Sequence, residues 1–392
     1  MNKSVISVII LLFSLLGMGV NAQDNKITIN GMIADATTGE PIPFANLGVL
    51  GTLAGVASDM DGKFELVLPD NYADRIIRVS VVGYASYEIK VAEAGQKGFL
   101  RIVLKPVTYG IGEAEVYAES LVYKKMLRQV VENISRNYIS RPYNYEGYFQ
   151  YTITENGNPQ SMKEAIVTIF DNKGYERSDV HTAYKNLNYR FDQVRRDREV
   201  QSVLDGLTYF DDILTSDVIR NTRNILDIAN AADYKLKNKG RLMYEGDSVR
   251  LIAYEVEKPS LSTSGDAAVT KYSGEIYINL KDYAVLKNVI HISADNFNQL
   301  GRNLIPANGT KKEDVKMTIV TNYKKLNSVY FLSGITIQYT YKEGENDING
   351  RMQYVTTRVQ TDSPEAIQGL MYYEDIKTDK NFWDNYTVYF KE

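Results

Sequence analysis

The sequence contains no cysteine, two histidines and one tryptophan. Without cysteine, disulfides and thiolate metal sites are excluded. A lipid anchor of the bacterial lipoprotein kind goes with them, because it needs a cysteine at the cleavage site. His181 and His291 form neither a close pair nor an HExxH pattern, so zinc would have to be held by carboxylates. His291 falls in an alternating, strand-like segment and His181 in a Thr/Asn/Tyr-rich stretch, where both read as ordinary sheet or surface residues. A Walker loop, a GxSxG elbow and a GxGxxG after a strand are missing; Gly110-Ile111-Gly112 lacks the third glycine. Charge of one sign is missing too: 45 Lys+Arg stand against 49 Asp+Glu, a net of −4. That balance excludes nonspecific nucleic-acid binding. Past the N-terminus there is no apolar run long enough to cross a bilayer as a helix.

The N-terminus is the exception. Lys3 supplies a positive charge, Val5 to Leu16 is almost unbroken apolar sequence, and Val20-Asn21-Ala22 is a small-x-small site. Together they read as a cleavable signal peptide over residues 1–22. The expected location is therefore outside the cytoplasm: periplasmic, outer-membrane-associated or at the cell surface. Tyrosine is abundant, with 30 residues against 12 Phe. Tyr-rich alternation suits sheets with one wet face.

Over residues 26–107 the apolar period is two. Ile27, Ile29 and Ile33 alternate with polar residues, as do Phe64, Leu66 and Leu68, then Ile77, Val79 and Val81, then Leu100, Ile102 and Leu104. Thr38-Gly39-Glu40-Pro41 and Asp59-Met60-Asp61-Gly62 are turns, with Gly62 free to take a positive φ. Short strands at this spacing predict an antiparallel β-sandwich. Asp35, Asp59 and Asp61 fail the twelve-residue calcium-loop pattern, and turn capping accounts for them.

The same segment carries a resemblance. Gly31-x-Ile33-x-Asp35, Thr38-Gly39-Glu40-Pro41-Ile42, Ala45-Asn46-Leu47, Gly55, Ser58-Asp59, Asp61-Gly62-Lys63-Phe64 and Gly83-Tyr84 follow in an order that resembles the carboxypeptidase-regulatory-like domain. The resemblance implies a transthyretin-like sandwich of the Gram-negative envelope, with scaffold residues and no catalytic ones. Such domains often precede a TonB-dependent transporter. The 285 residues after Val107 are too few for a 22-stranded barrel at roughly 10 residues per strand.

Residues 108–141 read as a linker followed by an amphipathic helix over Glu119–Tyr138. Val122, Met126, Val130, Ile134 and Tyr138 form its apolar stripe and Ser120 its N-cap. Residues 142–392 read as a larger antiparallel β-rich domain, a curled sheet or half-barrel with a helical insertion near 200–232. Hairpin turns are expected at Asp171–Gly174 and Asn349-Gly350. The hairpin Gly274–Asn279 with Tyr283–Lys287 resembles LolA-like carrier folds, which implies a curved sheet around an apolar cavity. Lys287, Arg250, Glu255 and Arg358 sit inside strands and argue against a lipid-facing barrel wall.

No catalytic, cofactor or metal residue is identified, and no cofactor is expected. Asp211-Asp212 and Glu343/Glu345 read as solvated carboxylates rather than a glycosidase pair. Arg190, Arg195, Arg196 and Arg198, interleaved with Asp192, Asp197 and Glu199, read as a salt-bridged face. The expected function is a non-catalytic exported envelope protein, with the sandwich docking and the C-terminal domain binding. A periplasmic lipid or lipoprotein carrier and a surface glycan-binding protein are the alternatives, so the partner is an envelope protein, a lipid or a glycan.

Overall fold

The computed structural model describes residues 26–107, 116–177, 187–200, 210–294, 312–368 and 373–386, apart from Phe44, Leu53, Met60 and Ala267; the side chains of 116–120, 198–200 and 385 are excepted. The signal segment, His181 and Gly110–Gly112 lie outside the described residues.

The period-two segment forms seven strands: β1 (Lys26–Asp35), β2 (Asn46–Val49), β3 (Gly55–Ala57), β4 (Lys63–Pro69), β5 (Ile76–Ser80), β6 (Tyr87–Lys90) and β7 (Leu100–Leu104), with a short helix α1 (Val91–Gly95) before β7. They make two sheets, β4-β1-β7 and β3-β2-β5-β6. The alternating residues face each other between the sheets: Ile29, Ile33, Phe64, Leu66, Ile77, Val79 and Ile102 are all buried in one core. The sandwich departs from a purely antiparallel one at β7, which runs parallel to β1. Gly62 takes φ +70° in the expected turn, which a side chain would resist.

The remaining strands are longer: β8 (Tyr143–Glu155), β9 (Asn158–Asp171), β10 (Leu187–Val200), β11 (Tyr234–Tyr244), β12 (Asp247–Val256), β13 (Val269–Asn279), β14 (Val285–Ala294), β15 (Glu313–Leu326), β16 (Val329–Glu343) and β17 (Asn346–Gln360). They form one open antiparallel sheet in the order β10-β9-β8-β17-β16-β15-β14-β13-β12-β11. Its first and last strands in sequence therefore meet inside it, with Gln150 opposite Gln353. The open sheet agrees with the expected curled-sheet class and leaves β10 and β11 as edges.

Alternation gives the sheet two unlike faces. One carries Tyr143, Tyr145, Phe149, Tyr151, Ile319, Ile337, Tyr339 and Tyr354, all buried; we call it the tyrosine face. The other carries Gln150, Thr152, Glu164, Thr336, Gln338, Arg351 and Gln353, and the sandwich lies against it. Helices α2 (Val116–Glu132), α3 (Ile134–Asn137) and α4 (Phe210–Thr215) cover the tyrosine face, α2 against β11, α3 against β16 and α4 against β16 and β17.

Several expectations need correction. The single helix over Glu119–Tyr138 is two helices. Asn133 breaks it at φ −98°, ψ 0°, its side chain donating to the Gln129 carbonyl at 2.7 Å, the local competition that makes Asn a poor interior helix residue. The helix also starts before Ser120, which is therefore not its N-cap. The buried stripe is Tyr123, Leu127, Val130, Ile134 and Tyr138, while Val122 is 55% exposed. Asn349-Gly350 is no turn; it lies within β17, where Gly350 stands opposite Tyr339. A Cβ on Gly350 would come within 2.0 Å of that ring. Gly274 is used the same way beneath Tyr254. The 210–231 part of the expected helical insertion holds short helices only, α4 and a 3-10 turn at Ile228–Asn230.

Candidate functional site

The tyrosine face closes over a polar network built by five separate parts of the chain. The Asp171 carboxylate, fully buried at the end of β9, accepts the backbone N–H groups of Lys173 and Gly174 on Oδ1, each at 3.0 Å. Its Oδ2 faces the Arg220 guanidinium at 2.7 Å. Arg220 also donates to the Tyr143 hydroxyl at 2.6 Å and lies 4.6 Å from the Tyr175 ring centre. Asp217 accepts from Tyr323 and from the Ile219 N–H. The Tyr138 hydroxyl receives the Val285 N–H at 2.9 Å and donates to the Val285 carbonyl at 3.0 Å. Burial pushes the phenols of Tyr138, Tyr143, Tyr175 and Tyr323 well above their usual range, so they stay neutral. Around Tyr138 the rings of Tyr175, Tyr323 and Tyr330 pack tilted or edge-on, with centres 5.3 to 5.9 Å away. This part of the face is filled by its own side chains.

The other face behaves differently. The sandwich touches it at a few polar points: Lys324 of β15 donates to Asn46 of β2, and Arg351 of β17 lies near Asp59. Between β3–β4 and the β8–β9–β10 side of the sheet the two bodies leave a cleft of about 710 Å³. Its far wall is α6 (Lys380–Asn385), which follows α5 (Leu261–Ser264) in the chain order of helices. Asp379 caps α6 by accepting from the Phe382 N–H at 3.2 Å. Trp383 plugs α6 onto the sheet, its indole N–H donating to the Val194 carbonyl at 3.0 Å.

Glu164 lies on the cleft floor and is 4% exposed. One carboxylate oxygen accepts from Tyr148 and from Gln150. The second, Oε2, has Arg195 Nε at 3.7 Å and no hydrogen-bond donor among the described residues. Arg195 in turn sits 5.6 Å from the Trp383 ring centre. Phe99, on the sandwich rim, lines the same cleft and is 60% exposed. A second cleft of about 400 Å³ lies between β2 and the β11–β12 and β15–β16 turns. Lys324 lines it, with burial pushing its ammonium down to about 8.

The arginine cluster is salt-bridged, as expected, but it also holds the C-terminal segment. Arg190 pairs with Asp192 and Glu365, and Arg195 with Asp197 at 3.0 Å. Arg196 donates to the carbonyls of Tyr373, Glu374 and Ile376. The side chains of Arg198 and Glu199 lie outside the described residues. Asp35 and Asp59 cap turns. Asp35 accepts from Thr37, Thr38 and Tyr84, and the Thr38 N–H, then the Tyr84 hydroxyl, hold its carboxyl below the usual range. Asp59 accepts from the Lys63 N–H at 2.8 Å; burial raises its carboxyl against the pull of that N–H and of Arg351. Asp211 and Asp212 occupy the first turn of α4. Asp211 accepts from Tyr189 at 3.0 Å and burial raises its carboxyl. Glu343 faces Lys312 at 3.7 Å, and Glu345 stands in the β16–β17 turn. His291 pairs with the Thr318 hydroxyl at 3.1 Å on the sandwich face. Among the described residues no group of three or more His, Asp or Glu side chains is placed to hold a metal. Sequence reading passed over Glu164, Phe99 and Trp383. The available signal was a carboxylate, Glu164, directly before the apolar run Ala165-Ile166-Val167.

Sandwich and open sheet together define a class, a β-protein of two bodies with a polar cleft between them. Residues 29–116 match the CarboxypepD_reg-like domain, so the sandwich is of the kind its motifs implied. The chain is 26% identical over 321 residues to the TonB-dependent receptor SusC of Bacteroides thetaiotaomicron, covering 78% of this chain and 28% of that receptor. It is 33% identical over 90 residues to the TonB-dependent receptor P3 of Formosa agariphila, covering 23% of this chain and 9% of that one. The chain thus spans under a third of either relative. Solved structures with some likeness are a DUF1329 family protein from Desulfovibrio piger, at TM-score 0.28 and 8% identity, and an outer membrane lipoprotein-sorting protein domain from Vibrio parahaemolyticus, at 0.26 and 12%. Each covers 62% of this chain and 94% of its own. At these scores neither likeness bears on fold or function. No helix among the described residues is long and apolar enough to cross a membrane.

Proposed function

We propose that this is a non-catalytic, exported cell-envelope protein in which the sandwich is docked on the large sheet and the cleft between them receives a ligand. The observation that carries the reading is the cleft itself. It is lined from both bodies, by Asp59 and Phe99 of the sandwich and by Glu164, Arg195 and Gln353 of the large sheet. The matched domain at 29–116 and the partial likeness to two TonB-dependent receptors support an envelope setting. A carrier of acyl chains would need an open apolar interior; the tyrosine face is filled instead by Tyr138, Tyr143, Tyr145 and their neighbours. The test is cross-linking of the full chain in its native envelope, followed by identification of what is captured, with Trp383→Phe and Phe99→Ala variants alongside. Capture that depends on the cleft residues supports the reading. Turnover of an envelope polymer by the purified protein, lost on a single carboxylate change, would refute the non-catalytic part.

A further inference from the structure

We propose that two copies of this chain exchange their C-terminal segments, each seating the residues from Pro364 onward in the track that the other's β8, β9 and β10 provide. The track grips the segment from both faces of the sheet. On the sandwich face, Asn144 of β8 accepts the Glu365 N–H at 2.6 Å and donates to the Glu365 carbonyl at 2.9 Å. Arg190 of β10 donates to both oxygens of the Glu365 carboxylate, and Ile367 is buried beyond it. On the tyrosine face, the Tyr373 ring is fully buried, edge-on to Phe191 at 5.6 Å. Lys163 and Arg196 lie 4.9 and 5.2 Å from its centre. Trp383 then returns to the sandwich face, packed on Tyr148 and Ile166. The segment is held mainly by side chains, several of them on its main chain, as a bound peptide is held. Such a seat recognises this sequence whichever copy supplies it.

The connection from β17 to this segment is short, exposed and strained. Asp362 and Ser363 are exposed, and Ser363 is held at φ +51°, a region that an L residue enters at a cost. Pro364 follows it, and a residue before proline favours extended backbone. Side chains hold the bend: Gln360 donates to the Asp362 and Ser363 carbonyls at 3.4 and 2.9 Å, and Arg141 to the Thr361 hydroxyl at 2.9 Å. Straightening the connection relieves Ser363 and carries the segment away from its own body. A strained connection beside a specific seat is the condition under which an element passes to a second copy. Exchange keeps every track contact, so the balance lies between hinge strain and the effective concentration the tether provides. Trp383 and Asp384 line the cleft between sandwich and sheet, so in the exchanged dimer the far wall of each cleft is supplied by the other copy.

The experiment refolds the full mature protein at low and at millimolar concentration and weighs the products by size-exclusion chromatography with light scattering. A dimer is expected whose share rises with the refolding concentration and which persists on dilution, because the segment must leave its seat to return. Ser363→Gly removes the cost of the positive φ in the monomer and is expected to weaken the dimer about thirtyfold, since two connections are relieved in each dimer. Arg190→Glu and Glu365→Arg, made in separate chains, each set like charges against one another in the chain's own track. Both positions are partly exposed, so each chain keeps its core. Mixed and refolded together, the two variants are expected to dimerise with each other in preference to themselves, because exchange restores an opposite pair in both tracks. A protein that stays monomeric after refolding at every concentration would overturn the proposal. So would a dimer indifferent to Ser363→Gly and without preference in the mixture, which would be a contact between outer surfaces.

Discussion

Replacing Arg220 by Met removes the ion partner of a carboxylate that has no access to water. Asp171 is fully buried and Arg220 is 5% exposed, and Asp171 Oδ2 has no hydrogen-bond donor apart from the guanidinium it faces at 2.7 Å. Arg220→Met keeps most of the packed volume but leaves that charge uncompensated, a change that costs about 3–5 kcal/mol. For a body of this size, each kcal/mol moves the melting temperature by roughly 2–4 °C, so a fall of about 6–20 °C is expected. Asp171→Asn alone keeps an acceptor for the Lys173 and Gly174 N–H groups and orphans the arginine instead. Since each single change strands the other's charge, the double variant should be less damaged than the two losses added together, with a coupling of about 1–3 kcal/mol. Near-UV circular dichroism suits the measurement, because Tyr138, Tyr143, Tyr175 and Tyr323 are locked together around this site. A loss below about 1 kcal/mol for Arg220→Met, or strict additivity in the double variant, would refute the view that this pair closes the tyrosine face.

Gly350→Ala should cost about 1–3 kcal/mol by overpacking, because its Cβ would meet the Tyr339 ring at 2.0 Å; Tyr339→Leu in the same chain should recover part of the loss, as urea unfolding can show. Lys324 titrates near 8 when docked against an unfolded value of 10.5, so the unfolded state holds more protons between those values. Stability should therefore rise with pH from about 8. It should fall again above about 10, where unfolded tyrosines ionise and the buried ones resist it. Lys324→Met should abolish the rise and leave the fall, a difference readable in melting temperatures across the series. Arg195→Ala should shift Trp383 emission to the red by loosening α6, while changing the global melting temperature by under about 4 °C, consistent with a single partly exposed contact.

Much of the architecture was legible because strand alternation is a local property. Phe64, Leu66 and Leu68, or Ile276 and Ile278, announce a strand without knowledge of the neighbour. The edge strand β10 was hidden because Arg190, Asp192, Arg195 and Asp197 look like a solvated run. Glu365, which pairs with Arg190, and the carbonyls of Tyr373, Glu374 and Ile376, which accept from Arg196, lie more than 170 residues away. Asn349-Gly350 misled for a related reason. An Asn-Gly pair favours a turn by itself, and only the Tyr339 ring across the ladder reveals why a glycine is needed there. The cleft was the least legible part, since Glu164, Phe99 and Trp383 are brought together by two bodies and a terminal helix, and no spacing in the sequence encodes that meeting.

The pairing of β8 with β17 has a consequence for the order of events in the life of the chain. Strands β8 to β10 can form a meander among themselves, and so can β11 to β17, but the two halves join only along a ladder whose partners are about 200 residues apart, as with Gln150 and Gln353. Contacts of such separation form late, because loop closure must be met before they contribute. A chain threaded N-terminus first through a narrow pore would have its sandwich out early, while the large sheet waited for its final strand. Until residue 360 emerged, β8 would keep an unpaired edge. The topology thus delays closure of the large sheet until almost the whole chain is available, which favours passage in an unfolded state and leaves the half-built sheet as the stage at which a chaperone would have most to hold.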